Sequence, residues 1–362
     1  MRTFILKCRN GTQFRLGAGS KNEVSRHIHS DTIFSALVNI YSLIHDDTDE
    51  FIRLAVNGDI SISSAFPCLE NLRTGKYIYF LPVPVMISGK RTDEGGKSKD
   101  GKDESKNDIK ILRKIKYISR EIFDDLSRNF NNEEILSYAD FPETDYIFPG
   151  SIFALKKSEL DAQGTEPDNI TFFSEHTAPK VNVSSKSKKD TFYYETNIAL
   201  KTVYGSDGKP LLAPHYYILT DYKNEEAGKK LMTAIRVLAD EGIGGERSSG
   251  KGLFEKVDEN ENMIFDGAGN CYISLSLTCP ANDDEFHSAK RYDIIKRGGG
   301  DLGTSGESEY HRKQINMMSE GSLFSKPVKG MIADVSPDAG NFSHKIYRNG
   351  KCMCIPFGGQ HE

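Results

Sequence analysis

The sequence contains no tryptophan and only six cysteines, Cys8, Cys68, Cys271, Cys279, Cys352 and Cys354. Only the C-M-C at 352–354 places two of them close together, without CxxC pairs or interleaved histidines. Neither a disulfide framework nor a cysteine-based zinc site follows from such spacing, so reduced thiols and no metal or cofactor are expected. No run of about 18 apolar residues is present, which excludes a membrane-spanning helix of the usual kind. The start, MRTFILKCRNGTQFRL, lacks the apolar stretch and small-residue cleavage site of a signal peptide, and a cytoplasmic protein with no membrane partner is expected. Positive charge is also short, the formal net charge being −5. A protein that coats nucleic acid by charge alone is thereby excluded, and any such contact must use a local basic track or the help of partner subunits.

What is present is length and pattern. A chain of 362 residues buries a sizeable core, as two domains or one elaborated domain. RTFILKCR alternates as a half-buried strand does, and HSDTIFSALVNIYSLI repeats Ile33, Phe34, Leu37, Val38, Tyr41 and Ile44 at helical spacing, with Ser30 or Asp31 placed to cap it. DISISSAF and KYIYFLPVPV read as strands, the prolines at 82 and 84 suggesting that the second ends at a sheet edge. Residues 88–108 are nearly devoid of apolar side chains and read as a disordered loop. IKILRKIKYISREIFDDLSRNF then resumes the fold as an amphipathic segment. Residues 174–200 read as two strand-like arms around a lysine-bearing turn, hence a β-hairpin. APHYYILTD reads as a buried strand. EEAGKKLMTAIRVLADEG puts Ala227, Leu231, Ala234, Ile235 and Leu238 on one helical face, to stop at Gly242. LFEKV is strand-like. Taken together, residues 2–257 give the β-α-β…β-α-loop-β order of a ferredoxin-like, α+β fold opened by insertions.

The stretch GIGGERSSGKG (242–252) poses the functional question, because glycines at that density hold phosphate in two different chemistries. A nucleotide P-loop needs GxxxxGK[S/T] between a strand and a helix, the hydroxyl binding magnesium. Gly245 to Lys251 matches GxxxxGK, but Gly252 stands where the magnesium ligand belongs, and the helix precedes the loop instead of following it. The dinucleotide pattern fails at Arg247. What remains is a main chain unobstructed by side chains, with Arg247, Ser248, Ser249 and Lys251 around it, suited to the backbone of a nucleic acid.

At this point the sequence resembles the RAMP proteins of CRISPR effector complexes, and within them the Csm subunit four proteins of type III-A systems. The marks are HSDTIFSAL (29–37), SSAFPCL with YFLPVPV (63–85), KIKYIS, GIGGERSSGKG (242–252), YDIIKRGG (292–299) and HKIYRNGKCMCIPF (344–357), spanning nearly the whole chain. Gly300 stands where an aromatic often follows the RGG-like turn, a departure from the family pattern. The resemblance implies two ferredoxin-like (RRM-like) domains with a protruding β-hairpin thumb. Residues 1–260 would form the first, carrying the loop 88–108, the thumb 174–200 and the glycine loop 242–252, and 261–362 a degenerate second. It further implies a non-catalytic subunit that binds the 5′ handle of crRNA and, through the complex, target RNA. Such a subunit caps the backbone filament between the large polymerase-cyclase subunit and a filament RAMP subunit. Residue by residue, Gly242, Ile243, Gly244, Gly245, Arg247, Ser248, Ser249, Gly250, Lys251 and Gly252 carry over as the handle-binding element, and the hairpin around 176–200 as the thumb.

Single residues add candidates. His29 stands at a helix entrance, facing RNA or packed under it; in the alternative reading, a RAMP endoribonuclease that matures precursor crRNA, it is the proton-transfer group. Asp31 reads as a helix cap, and Ser30 and Thr32 offer hydroxyls to phosphate. Lys180, Lys186, Lys188 and Lys189 read equally as a solvated charge run or as a tip for a duplex backbone. Tyr193 and Tyr194 read as packing or as base-stacking rings, and Arg291, Lys296 and Arg297 as an extension of the RNA track.

Overall fold

Thirteen residues from Pro210 to Tyr222, ten of them buried in succession, form the strand around which the chain is organised. A strand buried on both faces needs neighbours on both edges and layers above and below it. A computed structural model describes residues 1–17, 25–45, 47–85, 113–130, 146–160, 170–182, 191–265, 269–302, 309–338 and 345–359. The first half of the chain contributes β1 (Arg2–Lys7), β2 (Gln13–Phe14), α1 (Ser30–His45), α2 (Thr48–Val56), β3 (Ile60–Ile62), β4 (Phe66–Asn71), β5 (Tyr77–Pro82), β6 (Tyr117–Ser119), α3 (Arg120–Asn129), β7 (Tyr146–Ile147) and β8 (Phe153–Lys156). There follow β9 (Phe173–Asn182), β10 (Thr191–Leu200), β11 (Val203–Tyr204), β12 (Pro210–Tyr222), α4 (Glu225–Glu241) and β13 (Lys256–Asn260). The remainder is β14 (Cys271–Ser274), α5 (Asp283–His287), β15 (Ala289–Arg291), β16 (Ile294–Leu302), β17 (Glu309–Met318), β18 (Leu323–Phe324), β19 (Gly330–Asp334), β20 (Tyr347–Lys351) and β21 (Cys354–Phe357).

The main sheet runs β13-β1-β12-β4-β5-β6-β8-β7, with β11 and β3 also paired to β12. Its first four strands are mutually antiparallel, and α1 and α4 stand in the connections that follow β1 and β12. Expected as half-buried, β1 is instead buried on both faces from Thr3 to Lys7, an interior strand paired with β12 on one edge and β13 on the other. β5 lies inside the sheet, β4 pairing with its first half and β6 with its second, and among the described pairs Pro82, where the strand was expected to end at a sheet edge, has only Tyr117 of β6 beside it. A missing N–H is tolerated there because Pro82 is the last residue of the strand.

Both long helices form where the apolar spacing puts them. Ile33, Phe34, Leu37 and Tyr41 of α1 are buried, as are Ala227, Leu231, Ala234, Ile235 and Leu238 of α4. Asn224 caps α4 by accepting the Ala227 N–H, and Gly242, at φ 69°, ends it. Smaller sheets complete the molecule: β2-β10-β9, β15-β18-β14-β21, and the hairpins β16-β17 and β19-β20. One hydrophobic core crosses the boundary drawn at 260/261, since Cys271, Ile273, Leu323, Ile355 and Phe357 belong to the same buried cluster as Phe4, Phe123 and Phe130. Phe357 lies 5.4 Å from Phe123 and 5.2 Å from Phe130 between ring centroids, and burying such a ring contributes ~1.5–3 kcal/mol.

Candidate nucleic-acid interface

The glycine loop leaves α4 and folds on itself before β13. Ile243 donates its N–H to the Gly252 carbonyl, while Gly252 donates to Gln13 and Gly245 to Arg15, tying the loop to the β2 segment. Three glycines are required by these close approaches: a Cβ on Gly242 would lie 2.7 Å from the Gly252 oxygen, on Gly244 2.5 Å from the Arg15 oxygen, and on Gly252 2.0 Å from the Ile243 oxygen. The apex is different. Arg247 to Ser249 make a single 3-10 turn between left-handed Glu246 (φ 61°) and Gly250 (φ 83°), and Gly245 through Gly250 are exposed. Several amides expected to cradle phosphate are spent inside the protein, those of Ser249, Gly250 and Lys251 within the turn. Among the described residues, the N–H groups of Glu246, Arg247 and Ser248 have no such partner, so the exposed apex keeps donors for an anion.

Beside the loop opens a cavity of about 910 Å³ lined by Gly242 to Gly245, by one side of α1 from Asp31 to Leu43, and by Arg15, Arg247, Arg297, Arg312 and Arg348, with Asp31 and Glu241 as the carboxylates. Arg297 comes from β16, Arg312 from β17 and Arg348 from β20, so the second half of the chain supplies most of the cationic wall. Five guanidiniums around one opening make a local basic track on an acidic chain, the arrangement the net charge demands of a polyanion-binding protein.

Asp31 organises this wall. Its carboxylate accepts two bonds from Arg297, Nε to Oδ2 at 2.9 Å and Nη2 to Oδ1 at 2.9 Å, and a third from Arg348 Nη1. Arg297 also donates to the Thr32 hydroxyl at 3.0 Å. Burial works to raise the Asp31 carboxyl, and Arg297, then Arg348, outweigh it and hold the group below its usual range. The capping role expected of Asp31 or Ser30 is therefore corrected. Helix α1 begins at Ser30, among the described residues neither side chain accepts from its first N–H groups, and the carboxylate is committed to two arginines. Ser30 is fully buried, its hydroxyl accepting the Leu277 N–H and its own N–H donating to Ser64 Oγ.

His29 lines the cavity but is nearly buried, its Nδ1 2.9 Å from Glu320 Oε1. Burial works against its protonated form, and the Glu320 carboxylate outweighs that and raises its pKa. His27, stacked on it at 5.4 Å, is lowered to about 4, chiefly by burial. Burial would raise Glu320, but His29 holds it at about 2.

The hairpin β9-β10 pairs ten residues from each strand, Leu200 opposite Phe173 and Thr191 opposite Asn182. Val181, Phe192 and Tyr194 are exposed on it, and Phe192 meets Tyr194 edge-on at 5.2 Å. Lys180 is half-buried on β9 opposite Tyr193. Lys251 reaches into the base of this hairpin, donating to buried Glu195, which also accepts from Asn197 at 3.0 Å. Burial would raise the Glu195 carboxyl, and Lys251 holds it below the usual range. Lys186, Lys188, Lys189 and the loop 88–108 lie outside the described residues.

Of the residues singled out from sequence, the cavity thus unites Gly242, Ile243, Gly244, Gly245, Arg247, His29 and Arg297. Ser30, Lys251 and Lys180 are elsewhere, and Ser248, Ser249 and Gly250 face solvent at the loop's apex. Arg15, Arg312, Arg348 and the anchoring part of Asp31 were not legible from spacing. The partners lie 266 and 317 positions from Asp31, and no local pattern signals such a pairing.

Residues 267–357 match the family described as the CRISPR Csm4 C-terminal domain. Over its full length the chain is 26% identical to the CRISPR system Cms protein Csm4 of Methanocaldococcus jannaschii across 403 residues, covering 100% of this chain and 99% of that one. The protein of the same name from Streptococcus thermophilus is 23% identical across 344 residues, 92% of each chain. A chain of the Csm3-Csm4 subcomplex in the type III-A CRISPR-Cas interference complex superposes with a TM-score of 0.64 at 21% identity, covering 99% of this chain and 100% of that one. A chain of the Csm1-Csm4 cassette in complex with cA4 gives 0.56 at 19%, covering 100% and 99%. The similarity to Csm4 proteins thus runs along the whole chain, and residues 267–357 are the part that fits the Csm4 C-terminal domain. Among the described residues no helix is long and apolar enough to cross a membrane.

Proposed function

We propose that this chain is a non-catalytic, RNA-binding subunit of a Csm complex, which grips the 5′ handle of crRNA in the cleft between the glycine loop and the arginine wall. The observation that carries the reading is the cavity itself, where the exposed Arg247 turn faces Arg297, Arg312 and Arg348 from β16, β17 and β20. The strand order β13-β1-β12-β4, with helices after β1 and β12, supports a ferredoxin-like core for residues 1–260. Residues 261–362 are then a second, degenerate unit laid against it, and the β9-β10 hairpin a thumb that kinks the guide with its exposed Phe192 and Tyr194. Similarity to chains solved with Csm3 and with Csm1 supports a place at the end of the filament, touching the large subunit on one side and a filament subunit on the other.

The test is crRNA retention. The double variant Arg247→Ala/Ser249→Ala, co-expressed with the other subunits, is expected to lose bound crRNA while the isolated chain keeps its circular dichroism and melting temperature. In filter binding, Arg247→Ala alone is expected to lower the slope of log K against log salt by ~1, the value of one lost phosphate contact. Unchanged crRNA loading by the double variant overturns the reading. Incubating the purified chain with repeat RNA separates it from the endoribonuclease alternative, since cleavage abolished by His29→Ala contradicts a purely binding role.

A further inference from the structure

The cysteines lack a metal-binding spacing, whereas among the described residues the donors of His27, His29 and Glu320 converge. His27 and His29 flank Ile28 on an extended segment that bridges to Ala65, and the two-residue period puts both imidazoles on one side while Ile28 enters the core. Their rings stack with an interplanar angle of 3°. Glu320 is brought beneath them by a tight turn in which Gly321, at φ 84°, leaves no room for a side chain, a Cβ there falling 2.3 Å from the Val83 oxygen. One ligand atom from each of the three residues lies within 4.8 Å of the other two. The Nδ1 of His27 is buried with no hydrogen-bond partner, and Glu320 Oε1 is fixed by His29 and by the Ser64 hydroxyl.

We propose that His27, His29 and Glu320 form a binding site for a first-row divalent ion of the zinc type, with its fourth position open to the cleft. Two imidazoles and one carboxylate are a donor set that zinc takes when a position is left for water. Tetrahedral bonds of ~2.0–2.1 Å need donors ~3.4 Å apart, so a pair at the full 4.8 Å closes by ~1.4 Å, within reach of side-chain rotations. Arg297 beside His29 and Lys116 beside His27 oppose a cation, and Glu320 with Asp31 offsets them. The site is independent of whether the cleft binds RNA.

Titration of the EDTA-stripped full-length chain, purified without a polyhistidine tag, tests this with Zn²⁺ by calorimetry and Co²⁺ by visible absorption. Wild type is expected to bind about one Zn²⁺ per chain and to give the intense ligand-field bands of low-coordinate cobalt. His27→Ala and Glu320→Gln are each expected to weaken Zn²⁺ binding more than ~10-fold, the loss that even an outer partner of a metal ligand can cause. If Glu320→Gln fails to fold, His27→Ala and His27→Asn decide, because the His27 Nδ1 makes no hydrogen bond that folding would lose. No binding by wild type, or one isotherm shared by wild type and the His27 variants, overturns the proposal.

Discussion

Lys251 and Asp31 show how far a residue's role departs from its type. Lys251 belongs to a phosphate-like motif, yet its ammonium is spent on Glu195, whose side chain is 2% exposed. Removing one partner of a buried pair strands the other charge, so Lys251→Met is expected to cost ~3–5 kcal/mol in urea denaturation, with Glu195→Gln/Lys251→Met recovering part of the loss. A cost below ~1 kcal/mol would return Lys251 to the list of free phosphate ligands. Asp31→Asn is expected to destabilise by a comparable amount, since Arg297 and Arg348 are both largely buried against the carboxylate. Arg247 was legible because the glycines around it announce an exposed turn. The ion pairs were not, because 56 residues separate Lys251 from Glu195 and nothing in a single sequence records which charges meet across a fold.

At the level of elements, periodicity carried α1, α4 and β12, whose apolar spacing is long enough to be unambiguous. Helix α2 went unseen: it has nine residues, and Asp49, Glu50 and Arg53 leave only Phe51, Ile52 and Ala55 to mark its buried face. The amphipathic segment before residue 130 resolves into β6 and α3, where Ser119 ends the strand and caps the helix by accepting the Ile122 N–H. The glycine loop divides into a packed base and an open apex, and substitution should separate them. Gly250→Ala meets no atom within 4 Å and costs only its left-handed backbone, ~1–2 kcal/mol. Gly252→Ala adds a clash with the Ile243 carbonyl and is expected to cost ~1–3 kcal/mol more by thermal or urea unfolding. Equal effects would mean that the base is not packed as described.

For the whole molecule, the succession of the main strands and helices along the chain was readable because each carries its own pattern, whereas the way the last hundred residues close the cleft was not. Those strands are short, and their register depends on partners far along the chain. One global property follows from the sheet's polar cluster. His215 Nδ1 accepts the Cys8 N–H at 3.0 Å and its Nε2 donates to Glu70 at 2.9 Å, an arrangement that protonation of Nδ1 would break. Burial first, and Lys7 further, hold His215 below the ordinary imidazole value of 6.5, although Glu70 pulls the other way. Burial would raise Glu70, and Lys7 and His215 hold it below 4.5. Below pH 6.5 the unfolded chain takes up the His215 proton and the native chain does not, so stability falls with pH; Glu70 adds to the fall as pH drops through its own range. The melting temperature is expected to decline from pH 7 to about 5, and less steeply in His215→Gln. An identical decline in both proteins would remove His215 from the account.

The seam between the glycine loop and β2 has a mechanical corollary. Gly245 and Gly252 are stitched to Arg15 and Gln13, Gln13 and Phe14 pair with Ala199 and Ile198 of the hairpin, and Arg15 donates to the Thr196 carbonyl. Tilting the long β-arm therefore drags the exposed Arg247 turn along with it. The distance from the exposed turn at one end of this lever to the exposed Phe192 and Tyr194 at the other is thereby held by backbone bonds and not by side chains alone.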